Sequence, residues 1–237
     1  MASDSSTTDR QRRRPQLSEE VASTIRHKIM TAEVLPGDRI RIDETAVELG
    51  VSVTPVREAL LTLRGEGMVL LAPHRGYEVA RLTRTDVDDL FWLQGETAAR
   101  IARRTAAVIT PAQIDDLAWA NAQFRDAVRT GDSAALTQAE FEFHRAHNQF
   151  SDSAKLAWML QNTTRYTPHE MYASDPDWGL VTADRHDELI AAYRAGDAEA
   201  AADCIRREFT DGADRLIKHL SQTGIWDDAE SNPVSDS

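Results

Sequence analysis

The stretch from Asp43 to Val79, DETAVELGVSVTPVREALLTLRGEGMVLLAPHRGYEV, constrains the fold more than any other part of the chain, because two helix signals, two turns and two short strands fall in one run. Asp43 to Leu49 reads as a short helix, and Gly50 supplies a turn, since a residue without a Cβ tolerates a left-handed backbone. Val51 leads into a second helix. Ser52 or Thr54 is placed to cap its free amides, Pro55 suits its first turn, and Val56, Leu60 and Leu63 recur at helical spacing before Gly65 and Gly67 end it. MVLLA and YEVA then read as two strands forming a ribbon, joined by the tight turn PHRG. Ser52, Thr54 and Arg57 therefore lie near the amino end of the second helix and off its apolar stripe. His74, Arg75 and Gly76 project as a wing. A helix-turn-helix with a wing presents these groups to base edges and phosphates of a double-stranded DNA operator.

The flanks of this run divide the chain further. Residues 1–16 are polar, arginine-bearing and aperiodic, which predicts a mobile tail; RQRRR reads either as plain flexible chain or as a basic arm along phosphate. Val21, Ile25 and Ile29, four apart, predict a helix over about 17–31, and LPGDRI reads as the turn after it. After Thr83 the strand signal stops. Helices are expected near 84–107, 111–129, 132–150, 153–171, 180–195 and 198–221, with starts marked by TPAQ at Thr110 and by Gly-Asp at Gly131 and Gly196. YASDPDWG is expected as a loop, because Pro176 and Gly179 both oppose a helix interior. The fold class is mainly α: a disordered tail (1–16), a winged helix-turn-helix (17–82), an all-helical bundle (83–221) and an acidic tail (222–237) on which Trp226 could still dock against the bundle.

Charge follows the same division. Of 27 Lys and Arg and 39 Asp and Glu, residues 1–84 hold 13 and 12, a balance of +1, and the remainder holds 14 and 27, or −13. A near-neutral reading head on an acidic body makes DNA affinity depend on a dimer and on a few placed cations. No apolar run approaches the roughly 20 residues that a spanning helix needs, and MASDSSTTDRQRRR has no apolar signal core, so a cytoplasmic protein without membrane attachment is expected. Cys204 is the single cysteine, which excludes an intrachain disulfide and a thiolate zinc cluster.

On the residues LPGDRI, VSVTPVREAL and HRGYEV, the segment from about Leu17 to Leu82 closely resembles the winged helix-turn-helix of the GntR family of bacterial transcriptional regulators. Two positions depart from that pattern. Val53 stands where an arginine is usual, and Thr45 where a buried leucine is usual.

In the helical part, Glu140 and His144 are four apart in QAEFEFHRAH, so both project from one helix face and can offer a carboxylate oxygen and an imidazole to one metal ion. His186 opens HDELIAAYRAGDAEAAADCIRREF, and Glu208 lies 22 residues later, at a similar height once the AGD turn folds the two helices back. EFEFHRA, HDELIAAYRAGD and the final helix resemble the FCD ligand-binding domain of the FadR subfamily of GntR regulators, over about Asp86 to Leu220. That resemblance implies a divalent metal held by Glu140, His144, His186 and Glu208. Glu140 stands where aspartate is usual, and Glu208 where the last histidine is usual. Two carboxylates with two imidazoles suit zinc, nickel or manganese.

The other histidines, His27, His147, His169 and His219, read as ordinary hydrogen-bonded residues, with His147 the nearest rival ligand. Phe91, Trp92, Phe124, Phe141, Phe143 and Trp158 read as core. Arg100 and Arg165 are candidates to meet the carboxylate of a small-molecule effector through paired donors, or else to form surface salt bridges. The expected function is a homodimeric regulator whose operator affinity is set by a metabolite, by resemblance an organic acid completing the metal coordination. An architectural DNA binder with a structural metal is the alternative. A metal-dependent hydrolase is opposed by the absence of a nucleophile motif, an HExxH or a phosphate-cradling glycine loop, so no catalytic residue is assigned.

Overall fold

The computed structural model describes residues 5–73 and 75–226, with side chains from residue 16 onward, Pro176 excepted. It separates into two compact units, one of residues up to Thr83 together with those from His219, the other of Arg84–Lys218.

In the first unit α1 (Ser5–Met30) packs on α3 (Val53–Gly65), with β1 (Arg39–Ile40) and α2 (Ile42–Glu48) between them in sequence, followed by β2 (Val69–Ala72) and β3 (Gly76–Val79). Val21, Ile25 and Ile29 of α1 and Val56, Leu60 and Leu63 of α3 are all buried, as their spacing predicts. Gly50 turns between α2 and α3 at φ +64°, where a side chain would be strained.

Three expectations change here. Helix α1 begins at Ser5, within the tail expected to be mobile: arginine and glutamine are good helix formers, and extending an existing helix avoids the cost of nucleation. The LPGDRI segment is more than a turn. Its Arg39 and Ile40 pair antiparallel with Glu78 and Tyr77, so the sheet has three strands in the order β1-β3-β2. The bonds that close it are Gly37 N–H to Val79 O and Val79 N–H to Asp38 O, both 2.9 Å. Finally, Trp226 does dock, but within this first unit: its indole N–H donates to Leu82 O at 2.8 Å.

The second unit is helical: α4 (Arg84–Val108), α5 (Pro111–Thr130), α6 (Ser133–Phe150), α7 (Ala154–Thr163), a 3₁₀ turn (Thr164–Tyr166), α8 (His169–Ala173), α9 (Pro176–Ala195) and α10 (Ala198–Gln222), the last of which runs on into the first unit at His219. Thr110 and Gln113 form a capping box on α5, the Asp132 carboxylate caps α6, and Gly131 and Gly196 close α5 and α9 in the left-handed conformation.

The helix expected over 153–171 is broken. Thr167 precedes Pro168, whose ring disfavours helical backbone before it, and Thr167 is extended at φ −81°, ψ 119°. Conversely, the expected loop YASDPDWG contains the start of α9. Asp175 caps the helix through bonds from Asp177 N and Trp178 N, and Pro176 occupies the first turn, where a missing N–H costs nothing. Gly179 is a packing residue, since a Cβ there would come within 2.9 Å of the Val128 side chain on α5. The aromatic set also splits: Phe91, Phe124 and Phe143 are buried, whereas Trp92, Phe141 and Trp158 are exposed, because they fall on the outward faces of their helices. No helix among the described residues is long and apolar enough to cross a membrane.

Candidate metal centre and DNA-reading surface

Helix α6 sets Glu140 and His144 one turn apart, α9 supplies His186 and α10 supplies Glu208; one ligand atom from each comes within 4.8 Å of all the others. His144 Nε2 lies 3.0 Å from Glu140 Oε1 and 3.0 Å from Glu208 Oε1, and His186 Nε2 lies 3.7 Å from Glu140 Oε2. Glu140 and His186 are buried, while His144 and Glu208 are partly so.

The tautomer of His186 follows from its other nitrogen. Asn121 on α5, itself buried, gives its two amide hydrogens to Ala183 O at 3.0 Å and Asp187 Oδ1 at 2.8 Å. Its Oδ1 can then only accept, so the 3.0 Å contact to His186 Nδ1 is an N–H donated by the histidine. That leaves His186 Nε2 a bare lone pair. It faces Glu140 Oε2, and both atoms are buried without a hydrogen-bond partner. Phe143 stacks on the His186 ring at a 3.6 Å centroid distance and 15° between planes, which holds the imidazole in that orientation. Arg125 in turn fixes Asp187 at 2.6 Å.

The titration of the cluster follows the same geometry. Burial, and then the charge of His144, pushes the His186 pKa well below its ordinary value, so its neutral form dominates. Burial also raises Glu140. Burial works against a charge on His144 as well, but Glu208 and Glu140 outweigh it and raise His144 well above the usual imidazole value. Two carboxylates and two imidazoles, one of them with an unengaged Nε2, converge on one point, and the donor set fits a divalent cation.

The remaining expected residues are placed as follows. His147 is buried on α6 and bonded to Tyr193 OH, outside the four-residue group; burial drives its pKa to about 3. Arg100 and Arg165 are both exposed. Asn121 was not anticipated. Its signal is present in the sequence, for it continues the core-facing series Ile114, Leu117, Asn121, Phe124 on α5, where an apolar residue is expected.

On the first unit, Ser52 occupies the position before α3, yet its hydroxyl makes no capping bond, contrary to the expectation for Ser52 or Thr54. The α3 amides at this end are left open and the hydroxyl is free. Ser52 and Arg57 are exposed and Thr54 is half-buried; none of the three side chains has a hydrogen-bond or ion-pair partner among the described residues. Val53, beside them, is 40% exposed. Arg75 is exposed in the turn between β2 and β3, 3.8 Å from Glu78, and Gly76 starts β3 at φ +81°. His74 lies outside the described residues.

Against known proteins, residues 93–211 match the family described as FCD domain, and residues 17–79 match bacterial regulatory proteins of the gntR family. The HTH-type transcriptional repressor RspR of Escherichia coli K12 is 27% identical over 215 residues, covering 89% of this chain and 93% of that protein. The HTH-type transcriptional regulator McbR of the same strain is 25% identical over 193 residues, covering 80% and 87%. The solved structure of E. coli McbR/YncC has the same fold, with a TM-score of 0.66 at 22% identity over 86% of this chain and 98% of that one.

Proposed function

We propose that this chain, which belongs to the GntR family of bacterial regulatory proteins and carries an FCD domain, binds its operator as a cytoplasmic homodimer whose DNA affinity is set by an organic acid at a divalent metal in the helical unit. That it is a transcriptional regulator and not an enzyme follows from both matched domains and from its relatives. The observation that carries the finer reading is the unanswered pair, His186 Nε2 against Glu140 Oε2.

Glu140, His144, His186 and Glu208 would hold the ion, zinc, nickel or manganese by donor type. When bound, such an ion supplies a Lewis-acidic point that a carboxylate effector can complete. Asn121 and Phe143 keep His186 aimed, and the buried setting strengthens the electrostatics. Exposure gives Arg100 and Arg165 no support as effector contacts. The effector alters DNA affinity by binding one arrangement of the dimer better than another. At the DNA, Ser52, Thr54 and Arg57 would meet base edges and phosphates while the wing residues His74, Arg75 and Gly76 reach the adjacent backbone.

The test is the double variant His144→Ala, His186→Ala. It is expected to lose its metal by elemental analysis and its response to organic acids, and to keep operator binding because the first unit is untouched. Full metal content in that variant would remove the assignment. A wild-type chain that binds its operator with no response to any organic acid would favour a structural metal instead.

A further inference from the structure

We infer that Val53, the first residue of α3, reads the C5-methyl group of a thymine in the major groove, so that one base of the operator is selected by apolar contact instead of hydrogen bonding. This rests on the placement of α3 in the groove given in the preceding section and adds to it a residue that sets specificity. Helix α3 buries Pro55, Val56, Ala59, Leu60 and Leu63. Its opposite face carries Val53, Arg57, Leu61 and Arg64, all exposed and spaced 4-4-3, so they stand in one row along the helix.

Val53 differs from the rest of that row in place and in chemistry. It is 40% exposed and begins the helix, and the first residues of a reading helix are the ones that meet base edges, whereas exposed Leu61 lies two turns, about 12 Å, further along. Its neighbours Ser52 and Thr54 carry hydroxyls, and Arg57 is a cation one turn on. Each of these three can donate a hydrogen bond to DNA, and none has a hydrogen-bond or ion-pair partner among the described residues. Val53 cannot donate one. A β-branched side chain in a helix is held to essentially one rotamer, so Val53 presents a fixed apolar shape among polar groups.

The floor of the major groove offers such a shape one match. Guanine shows two acceptors there, adenine an acceptor and a donor, and cytosine a donor. A valine set against any of these takes water from a polar atom and returns no bond, a penalty that outweighs one methyl-sized contact. Thymine alone carries a methyl group, and closing it against Val53 takes apolar surface of both partners out of water. Val53 and Arg57 are about 6 Å apart along the helix axis, and bases stack about 3.4 Å apart, so the thymine lies within about two base pairs of the group that Arg57 meets.

The experiment uses the full chain and a duplex that the unchanged protein selects from a random library. Each thymine of the bound site is replaced in turn by deoxyuridine, which keeps the base pair and removes only the methyl group. At one thymine per reading head the dissociation constant is expected to rise about fourfold, the worth of one buried methyl. Val53→Ala is expected to bind the thymine and deoxyuridine forms of that position equally, and to keep its thermal midpoint, since alanine is the better helix former. Val53→Arg, put through the same selection, should exchange thymine for guanine at that position, because a guanidinium pairs with the two acceptors of guanine. A site in which no thymine methyl matters, a Val53→Ala chain that still tells thymine from deoxyuridine there, or a Val53→Arg chain that still selects thymine would each overturn the inference. So would loss of all duplex binding in Val53→Ala, since a contact of that size cannot account for it. Methyl-insensitive binding that still falls with Arg57→Ala sinks the role of Val53 alone, whereas binding indifferent to both Val53→Ala and Arg57→Ala takes α3 out of the groove as well.

Discussion

At the amino end of α3, Ser52, Thr54 and Arg57 reach solvent with no polar partner among the described residues, whereas His186 in the helical unit is fully buried and tied through Asn121 to Ala183 and Asp187. The difference is one of solvation. An unpaired donor at the surface is satisfied by water and exchanges it for phosphate or base when DNA arrives, at little cost to the fold. An unpaired acceptor in the interior has no water to fall back on and costs several kcal/mol unless something meets it. Surface groups can therefore stand unsupported, and interior groups need a second layer of residues to hold them in place.

The comparison breaks most directly at Arg26, the one buried cation among the described residues of the first unit. It is 2% exposed and gripped by Glu66 through two bonds of 2.9 Å, Nε to Oε2 and Nη2 to Oε1. Arg26→Ala removes both bonds to the Glu66 carboxylate together with a buried side chain, and the expected loss is about 3–5 kcal/mol in a urea titration of the whole chain. A loss below about 1 kcal/mol would mean that the first unit carries no interior ionic dependence at all, and the contrast between the units would be sharper than drawn here.

Next in size is Asn121→Ala. His186 would lose the acceptor that fixes its tautomer, and Phe143 alone would not decide which nitrogen faces Glu140. Metal affinity is expected to fall about 10–100-fold by competition with a chelator, with Asp116→Ala, exposed on α5, as the control that changes little. Equal affinities in the two variants would show that the ion needs only its direct ligands.

Both halves of the comparison were legible in the sequence to different depths. The reading head lies in consecutive residues, so Val56, Leu60 and Leu63 declared the buried face of α3 and left Ser52, Thr54 and Arg57 on the other by simple periodicity. The candidate metal cluster is assembled from three helices, and only Glu140 with His144 shares a turn; His186 and Glu208 joined them through family resemblance and the fold-back at Gly196. The α5 periodicity marks Asn121 as a polar residue on a core-facing stripe, but its role depends on which groups of α9 come beside it, and no local pattern encodes that. Pro176 misled for a related reason: a proline opposes a helix interior but suits its first turn, and the Asp175 cap decides between them. Strand β1 was read as a turn because two residues carry no alternation; its pairing is fixed by the exposed edge of β3.

Arg57→Ala then probes the surface side. Fold stability should stay within about 0.5 kcal/mol, since the exposed guanidinium has no hydrogen-bond or ion-pair partner among the described residues. Binding to a duplex selected from a random library should weaken by about 1–3 kcal/mol. If Arg57 meets a phosphate, the salt dependence of binding should also become shallower by about one unit of slope. Unchanged affinity would place α3 elsewhere than in the groove.

The smallest expected effect is the most discriminating. A serine before a helix normally caps it, and its replacement by alanine costs about 1 kcal/mol of stability. Here the Ser52 hydroxyl makes no such bond, although its backbone is extended at φ −77°, ψ 163° as a capping residue's would be. The first amides of α3 and the hydroxyl are thus both left for an outside partner, and an anion at a helix amino end is what such amides accept. Ser52→Ala should accordingly leave the thermal midpoint unchanged while weakening operator binding by about 1 kcal/mol, the worth of one ordinary hydrogen bond. A drop in the midpoint with DNA binding intact would reverse the assignment: the hydroxyl would be capping its own helix in solution, and Ser52 would belong with the groups the chain satisfies internally.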